Sequence, residues 1–173
     1  KVSDLEAHVG DAQPHGLTGM GHTRWATHGA PNDVNAHPHT SSSGRFVIIH
    51  NGIIENYRQL RDDLENDGYR FNSDTDSETI PLLITRFLDR GFDHITALRE
   101  TIRLLEGAFA VVVLFDDQPD MLYAVRNGSP LVLGQSAEGY SVASDTNALG
   151  IDVQSVCHLQ DGDLVCISRN MIT

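Results

Sequence analysis

Basic residues are scarce. Lys and Arg total 12 against 24 Asp and Glu, a formal net charge of −12. Nucleic acids and anionic membranes need a basic face, so neither is an expected partner. Cysteine is scarcer still: two in 173 residues make no disulfide framework. Long apolar runs are missing. The longest, 108–115, has eight residues, against the ~20 of a membrane helix. The opening KVSDLEAHVGD is charged and lacks the apolar core of a signal peptide. No G-x-G-x-x-G follows a strand and no P-loop occurs, so a dinucleotide or ATP cofactor has no support. No linker or repeat divides the chain, whose length suits one domain. These exclusions leave a soluble, acidic, cytoplasmic globular domain. It begins at Lys1 rather than Met, as expected of a piece of something longer.

The patterning predicts a short helix over 2–9 and a strand over 18–25, the latter weakened by Gly19 and Gly21. The run RFVIIH (45–50) reads as a buried strand. It leads into Asn51-Gly52, a turn dipeptide. Asn56 with Gln59, and Thr75 with Glu78, resemble capping pairs ahead of two helices. Asp93 opens a third, which Gly107 ends. Strand signals then dominate, over 108–115, 121–126, 131–135, 140–143 and 163–168. Helices and strands are segregated, which points to an α+β layered fold.

Several clusters carry chemistry. Five of nine histidines lie between His22 and His50, but without H-E-x-x-H or cysteine spacing, so hydrogen bonding outweighs metal binding. In HTRWATHG (22–29), Arg24 can hold a carboxylate through two parallel hydrogen bonds. Trp25 offers a flat lid, and Thr27 and His28 offer polar contacts. At Asn51-Gly52 an amide N–H and the next backbone N–H can converge on one oxyanion. Asp74 and Asp76 sit where a helix begins. There they cap it or hold an ammonium opposite Arg24, which would make a zwitterion site. Cys157 and His158 are adjacent in a strand-like segment and so point to opposite faces; neither they nor Cys166 read as a catalytic pair. Asn127-Gly128-Ser129 matches a glycosylation sequon and reads as a turn. For most of these residues taken singly, packing or capping is the better explanation than a site.

Together, HTRWATHG (22–29), NAHPH (35–39), HNGIIENY (50–57) and SDTDSE (73–78) resemble the class II glutamine amidotransferase domain. The wording is closest to the glutamine–fructose-6-phosphate aminotransferase family. RNGSPLVLG (126–134) and ASDTNAL (143–149) also fit. The resemblance implies an N-terminal-nucleophile hydrolase fold, a four-layer αββα sandwich of two antiparallel sheets. It implies hydrolysis of the glutamine side-chain amide to glutamate and ammonia. A C-terminal isomerase domain, absent here, would use the ammonia to make glucosamine 6-phosphate from fructose 6-phosphate, in a homodimeric parent. By matching position, Arg24 would hold the glutamine α-carboxylate and Asp76 its α-ammonium. Thr27 and His28 would line the pocket, with Trp25 at the gate toward the ammonia route. Asn51 and Gly52 would form the oxyanion hole. The resemblance also places the nucleophile on an N-terminal cysteine in a CGIVG-like segment, which this sequence lacks. The expectation is a glutaminase domain over 1–173, incomplete at its N-terminus and inactive alone. The alternatives are a non-catalytic amino-acid-binding or regulatory module, and a metal-dependent hydrolase built on the histidines.

Overall fold

The computed structural model describes residues 2–10, 16–25 and 29–173. Helix α1 (Val2–Val9) buries none of its residues. Strand β1 (His39–Thr40) leads into the long β2 (Phe46–Ile54). Helices α2 (Tyr57–Asn66), α3 (Thr79–Asp89) and α4 (His94–Leu104) follow, with a 3₁₀ turn at Asp76–Glu78 running into α3. Six strands complete the chain: β3 (Gly107–Phe115), β4 (Met121–Asn127), β5 (Val132–Ser136), β6 (Gly139–Ala143), β7 (Ser155–His158) and β8 (Leu164–Ser168). They form two antiparallel sheets, ordered β1-β2-β3-β4-β8 and β6-β5-β7.

Strand β3 (GAFAVVVLF) is apolar on both faces because both faces are packed. Side chains alternate along a strand. Phe109, Val111, Val113 and Phe115 therefore meet Phe46, Ile48, Leu83 and Ile84 in a core between the large sheet and the helices. Ala110 and Val112 point the other way, to Leu131, Leu133 and Ile167, in a second core between the sheets. Each large side chain fully buried in this way contributes roughly 1.5–3 kcal/mol. Among the described residues the layers run helices, large sheet, small sheet. The α+β sandwich of two antiparallel sheets is as expected, but a second helical layer packed on the small sheet is not seen among those residues, since α1 buries none of its own. Asp93 caps α4 as expected, accepting from the Thr96 N–H at 2.9 Å and the Thr96 hydroxyl at 2.7 Å.

Four local expectations need correction. Residues 18–25 form no strand: a Cβ added at Gly19 or Gly21 would meet nothing within 4 Å, so no packed neighbour waits there. Asn51-Gly52 is not a turn. Strand β2 runs through it in unbroken register with β3, Asn51 opposite Ala110 and Gly52 opposite Phe109. Asn56 precedes α2 without a side-chain cap. Its amide instead donates to the Leu104 carbonyl at 2.8 Å and accepts from the Glu106 N–H at 3.1 Å, fixing the entry to β3. Thr75 does not cap either. Glu78 accepts from the backbone of Asn72 and Ser73 rather than closing a capping box.

Gly52 is dictated by β3. Its φ is +122°, and a Cβ there would lie 2.0 Å from the Ala108 carbonyl oxygen and 2.8 Å from Phe109 Cα. Both obstacles are backbone and neither can move aside cheaply. Gly52→Ala is expected to lower stability by roughly 3 kcal/mol in urea denaturation. A loss below about 1 kcal/mol would mean the β2–β3 ladder is less rigid than this packing requires.

Candidate functional site

Alternation along β2 sends neighbouring residues to different places. His50 lies on the helix face, where its Nδ1 meets the Ser77 hydroxyl at 2.8 Å. Asn51 lies on the opposite face, where its Oδ1 sits 2.7 Å from His22 Nε2. The backbone sorts in the same manner. The N–H groups of Phe46 and Ile54 point to the β1 edge, to Ser41 Oγ at 3.2 Å and Asp76 Oδ2 at 2.8 Å. That of Glu55 points to the β3 side, to the Glu106 carbonyl. By this alternation the Gly52 N–H emerges on the same edge as that of Ile54. Strand β1 pairs only with Val47 and Ile48, so it stops short of Gly52.

A cavity of about 340 Å³ lies at this edge. Its walls include Arg24, Trp25, Asn51, Gly52 and Asp76, so the structure brings these five sequence-predicted residues together. Thr27 and His28 lie outside the described residues. Asp76 is 2% exposed and Asp74 is exposed and off the wall, which separates two carboxylates the sequence left equivalent. Two of Arg24's N–H donors go to the carbonyls of Ala30 (2.9 Å) and Gly29 (3.2 Å), anchoring the guanidinium to the following loop. Trp25 is 89% exposed at the rim. It also lines a second cavity of about 630 Å³ with an apolar floor that includes Ile49, Val112 and Leu131. His22, Thr23, His50 and Asn51 likewise border both spaces.

The sequence reading did not single out Asn35, yet it is 1% exposed and ties the loop down. Its Nδ2 donates to the Ala30 carbonyl at 3.0 Å and its Oδ1 accepts from the Asp74 N–H at 3.0 Å. A Cβ on Gly29 would approach Asn35 Nδ2 to 2.6 Å, so that neighbour is fixed too. A single buried Asn in a polar stretch carries no periodic signal; only the NAHPH wording hinted at it.

The histidines form a cluster of tilted and edge-on rings. The His37 ring lies 4.3 Å from that of His22 and 4.8 Å from that of His39. His39 Nε2 reaches the Thr75 hydroxyl at 3.2 Å. Burial, reinforced by the neighbouring His22 and His39, pushes His37 down to about 3. Burial likewise brings His50 to about 4, against the opposing pull of Asp76. His39 is lowered as well, chiefly by burial. His37 and His50 are therefore neutral at pH 7. Among the described residues, no group of three or more His, Cys, Asp or Glu could hold a metal ion. Neither cysteine lines the small cavity: Cys157 is exposed on β7, and Cys166 is buried in the helix-side core, where burial raises its thiol. No described helix is long and apolar enough to cross a membrane.

Comparison with known proteins gives a consistent pattern. A glutamine amidotransferase domain family model matches residues 22–150. The glutamine–fructose-6-phosphate aminotransferase of Mesorhizobium japonicum is 41% identical over 99% of the chain, and that of Symbiobacterium thermophilum 44% over 100%. The chain spans about 28% of the length of these curated relatives. The solved glutamine phosphoribosylpyrophosphate amidotransferase of B. subtilis superposes with a TM-score of 0.71 at 27% identity, over 88% of this chain and 33% of that one.

The neutral histidines make stability depend on pH. His37 and His50 titrate below the ordinary 6.5, so the unfolded chain binds more protons in that window. Stability therefore falls as pH drops from about 6.5 toward 4. His50→Asn keeps a donor for Ser77 and removes one titration. It is expected to flatten the slope by up to about 1.4 kcal/mol per pH unit. Urea melts at pH 7, 5.5 and 4.5 read this directly, and an unchanged slope would contradict it.

Proposed function

Because the chain belongs to the glutamine amidotransferase domain family, we propose that its small cavity binds glutamine and that the side-chain amide is hydrolysed there to glutamate and ammonia. The observation that carries this is the convergence of Arg24, Asn51, Gly52 and Asp76 on one wall system. A guanidinium and a buried carboxylate suit the two charges of an α-amino acid. Arg24 holds the α-carboxylate and Asp76 the α-ammonium. The Asn51 amide and the Gly52 N–H then stabilise the oxyanion formed when a nucleophile adds to the amide carbon. Thr27 and His28 complete the pocket in this reading. Trp25 forms the gate, a role supported by its place on both cavities.

The nucleophile in this reading is a cysteine preceding residue 1, with its own α-amino group as base. Its sulfur bonds to the amide carbon; ammonia leaves with the proton the base delivers. Water then cleaves the thioester to release glutamate. The positions of Cys157 and Cys166 support an external thiol. The names of the curated relatives support a use for the ammonia. It passes to a sugar-phosphate isomerase domain that converts fructose 6-phosphate to glucosamine 6-phosphate, in a homodimeric parent.

Glutamate release is the test. The 173 residues alone are expected to give none above a boiled control, whereas a chain extended upstream to an N-terminal cysteine turns over. Activity of the shorter chain would place the nucleophile within it. A folded extended chain that binds glutamine without hydrolysis would favour an amino-acid-binding module. In the active protein, Asn51→Ala is expected to lower kcat by about 10²–10³-fold. Arg24→Ala and Asp76→Asn mainly raise KM, because they hold atoms that the reaction leaves unchanged.

A further inference from the structure

We propose that His22 is a positioning residue: its Nε2–H holds the Asn51 carbonyl oxygen, so that the Asn51 NH₂ group is the end presented to the oxyanion. The inference rests on the glutamine-hydrolysing reading above. It assigns a task to a residue for which neither the motif nor the chemistry of the substrate had one.

A carboxamide has two nearly isosteric ends, and its terminal torsion is broad and close to two-fold. Presented correctly, it donates to a developing negative charge. Presented backwards, it aims a carbonyl oxygen at that charge. Something must choose, and the β2 backbone alone does not. The only hydrogen bond of the Asn51 side chain among the described residues is the 2.7 Å contact with His22.

The polarity of that contact follows from the other side of the imidazole. His22 Nδ1 is buried and, among the described residues, has no hydrogen-bond partner. A neutral imidazole carries one proton. If Nδ1 bore it, a buried N–H would be left without an acceptor, which native structures rarely tolerate. The proton therefore sits on Nε2, and Nε2 donates. Its acceptor must be the Asn51 oxygen, which turns the NH₂ away from His22. The flipped amide would need Nε2 as an acceptor and so would force the proton onto the stranded Nδ1. One buried, unpartnered nitrogen thus sets the direction of the amide beside it.

The ring itself is held in place. It packs against His37 at 4.3 Å, and His37 packs against His39 at 4.8 Å. His39 is fixed through Thr75, whose hydroxyl lies 3.0 Å from that of Ser73. A chain of ring contacts, tilted at His22–His37 and edge-on at His37–His39, connects the loop before the 3₁₀ turn to the amide on β2. The strong depression of His37 keeps a cation from forming against the His22 face.

Steady-state kinetics on the active protein containing these residues test this. His22→Leu is expected to lower kcat about 100-fold with KM for glutamine changed less than about two-fold. His22→Gln, whose amide N–H reaches the place of Nε2, is expected to restore most of kcat. The deciding measurement is the double-mutant cycle. In an Asn51→Ala background, His22→Leu should cost less than about three-fold, because no amide remains to orient. Additive losses would show that His22 acts only through packing and would overturn the proposal. Full activity of Asn51→Ala would instead remove the oxyanion reading, and the proposal with it. A readout independent of turnover is the ¹⁵N spectrum of the folded protein, with the His22 ring assigned through bonds from its own backbone. It should show a protonated Nε2 and a bare Nδ1; the reverse pattern would overturn the proposal even where a variant fails to fold.

Discussion

The antiparallel register of β2 with β3 is the constraint on which the site depends. Nine consecutive pairs, from Phe46–Phe115 to Ile54–Gly107, lock the strand with no freedom to slip. A slip of one residue would exchange the two faces of β2, sending His50 toward the second sheet and Asn51 toward the helices. It would also move Gly52 from the one point where the Ala108 carbonyl leaves no room for a Cβ. Two adjacent residues can serve two different surroundings only because this ladder holds. Two apolar cores, one on each side of the large sheet, keep the ladder in place.

Among the described residues lining the small cavity, Arg24 and Asp76 are the only Lys, Arg, Asp or Glu side chains. Arg24 is held on the rim by carbonyls of its own loop, and Asp76 is buried against the Ile54 N–H. Between them stand imidazoles that burial keeps neutral. With His37 and His50 uncharged, two opposite charges dominate the cavity. That arrangement suits a zwitterion better than a simple anion or cation, and it is why the proposed substrate is an amino acid. The larger cavity, with its apolar floor, has no Lys, Arg, Asp or Glu among its described lining residues.

Much of this was legible in the residue order. The apolar run 108–115 read as a strand and is one, packed on both faces, and the helix α3 residues Ile80, Leu83 and Ile84 are buried as their spacing requires. Asp93 caps its helix through the interaction its position implied. The clustering of Arg24, Asn51, Gly52 and Asp76 followed from motif wording rather than periodicity. Failures fell where tertiary contacts override local preference. Asn-Gly favours a turn, yet the β3 backbone recruits it into a strand because only glycine fits beside Ala108. Asn56 and Thr75 resemble caps, yet their side chains serve distant partners, the Leu104 carbonyl and His39. Asn35 and the His22–Asn51 pair are polar contacts across 39 and 29 positions of chain, a separation at which sequence pattern gives no signal.

Chemical-shift mapping of the folded 173-residue chain titrated with L-glutamine tests the central claim, that one amino-acid site is built on the open edge of β2. A site there predicts saturable shifts centred on the Gly52 and Ile54 backbone amides and the Arg24 guanidinium, lost in Asp76→Asn. Shifts confined to the apolar cavity floored by Ile49 and Leu131, or saturable shifts unchanged in Asp76→Asn, would contradict it.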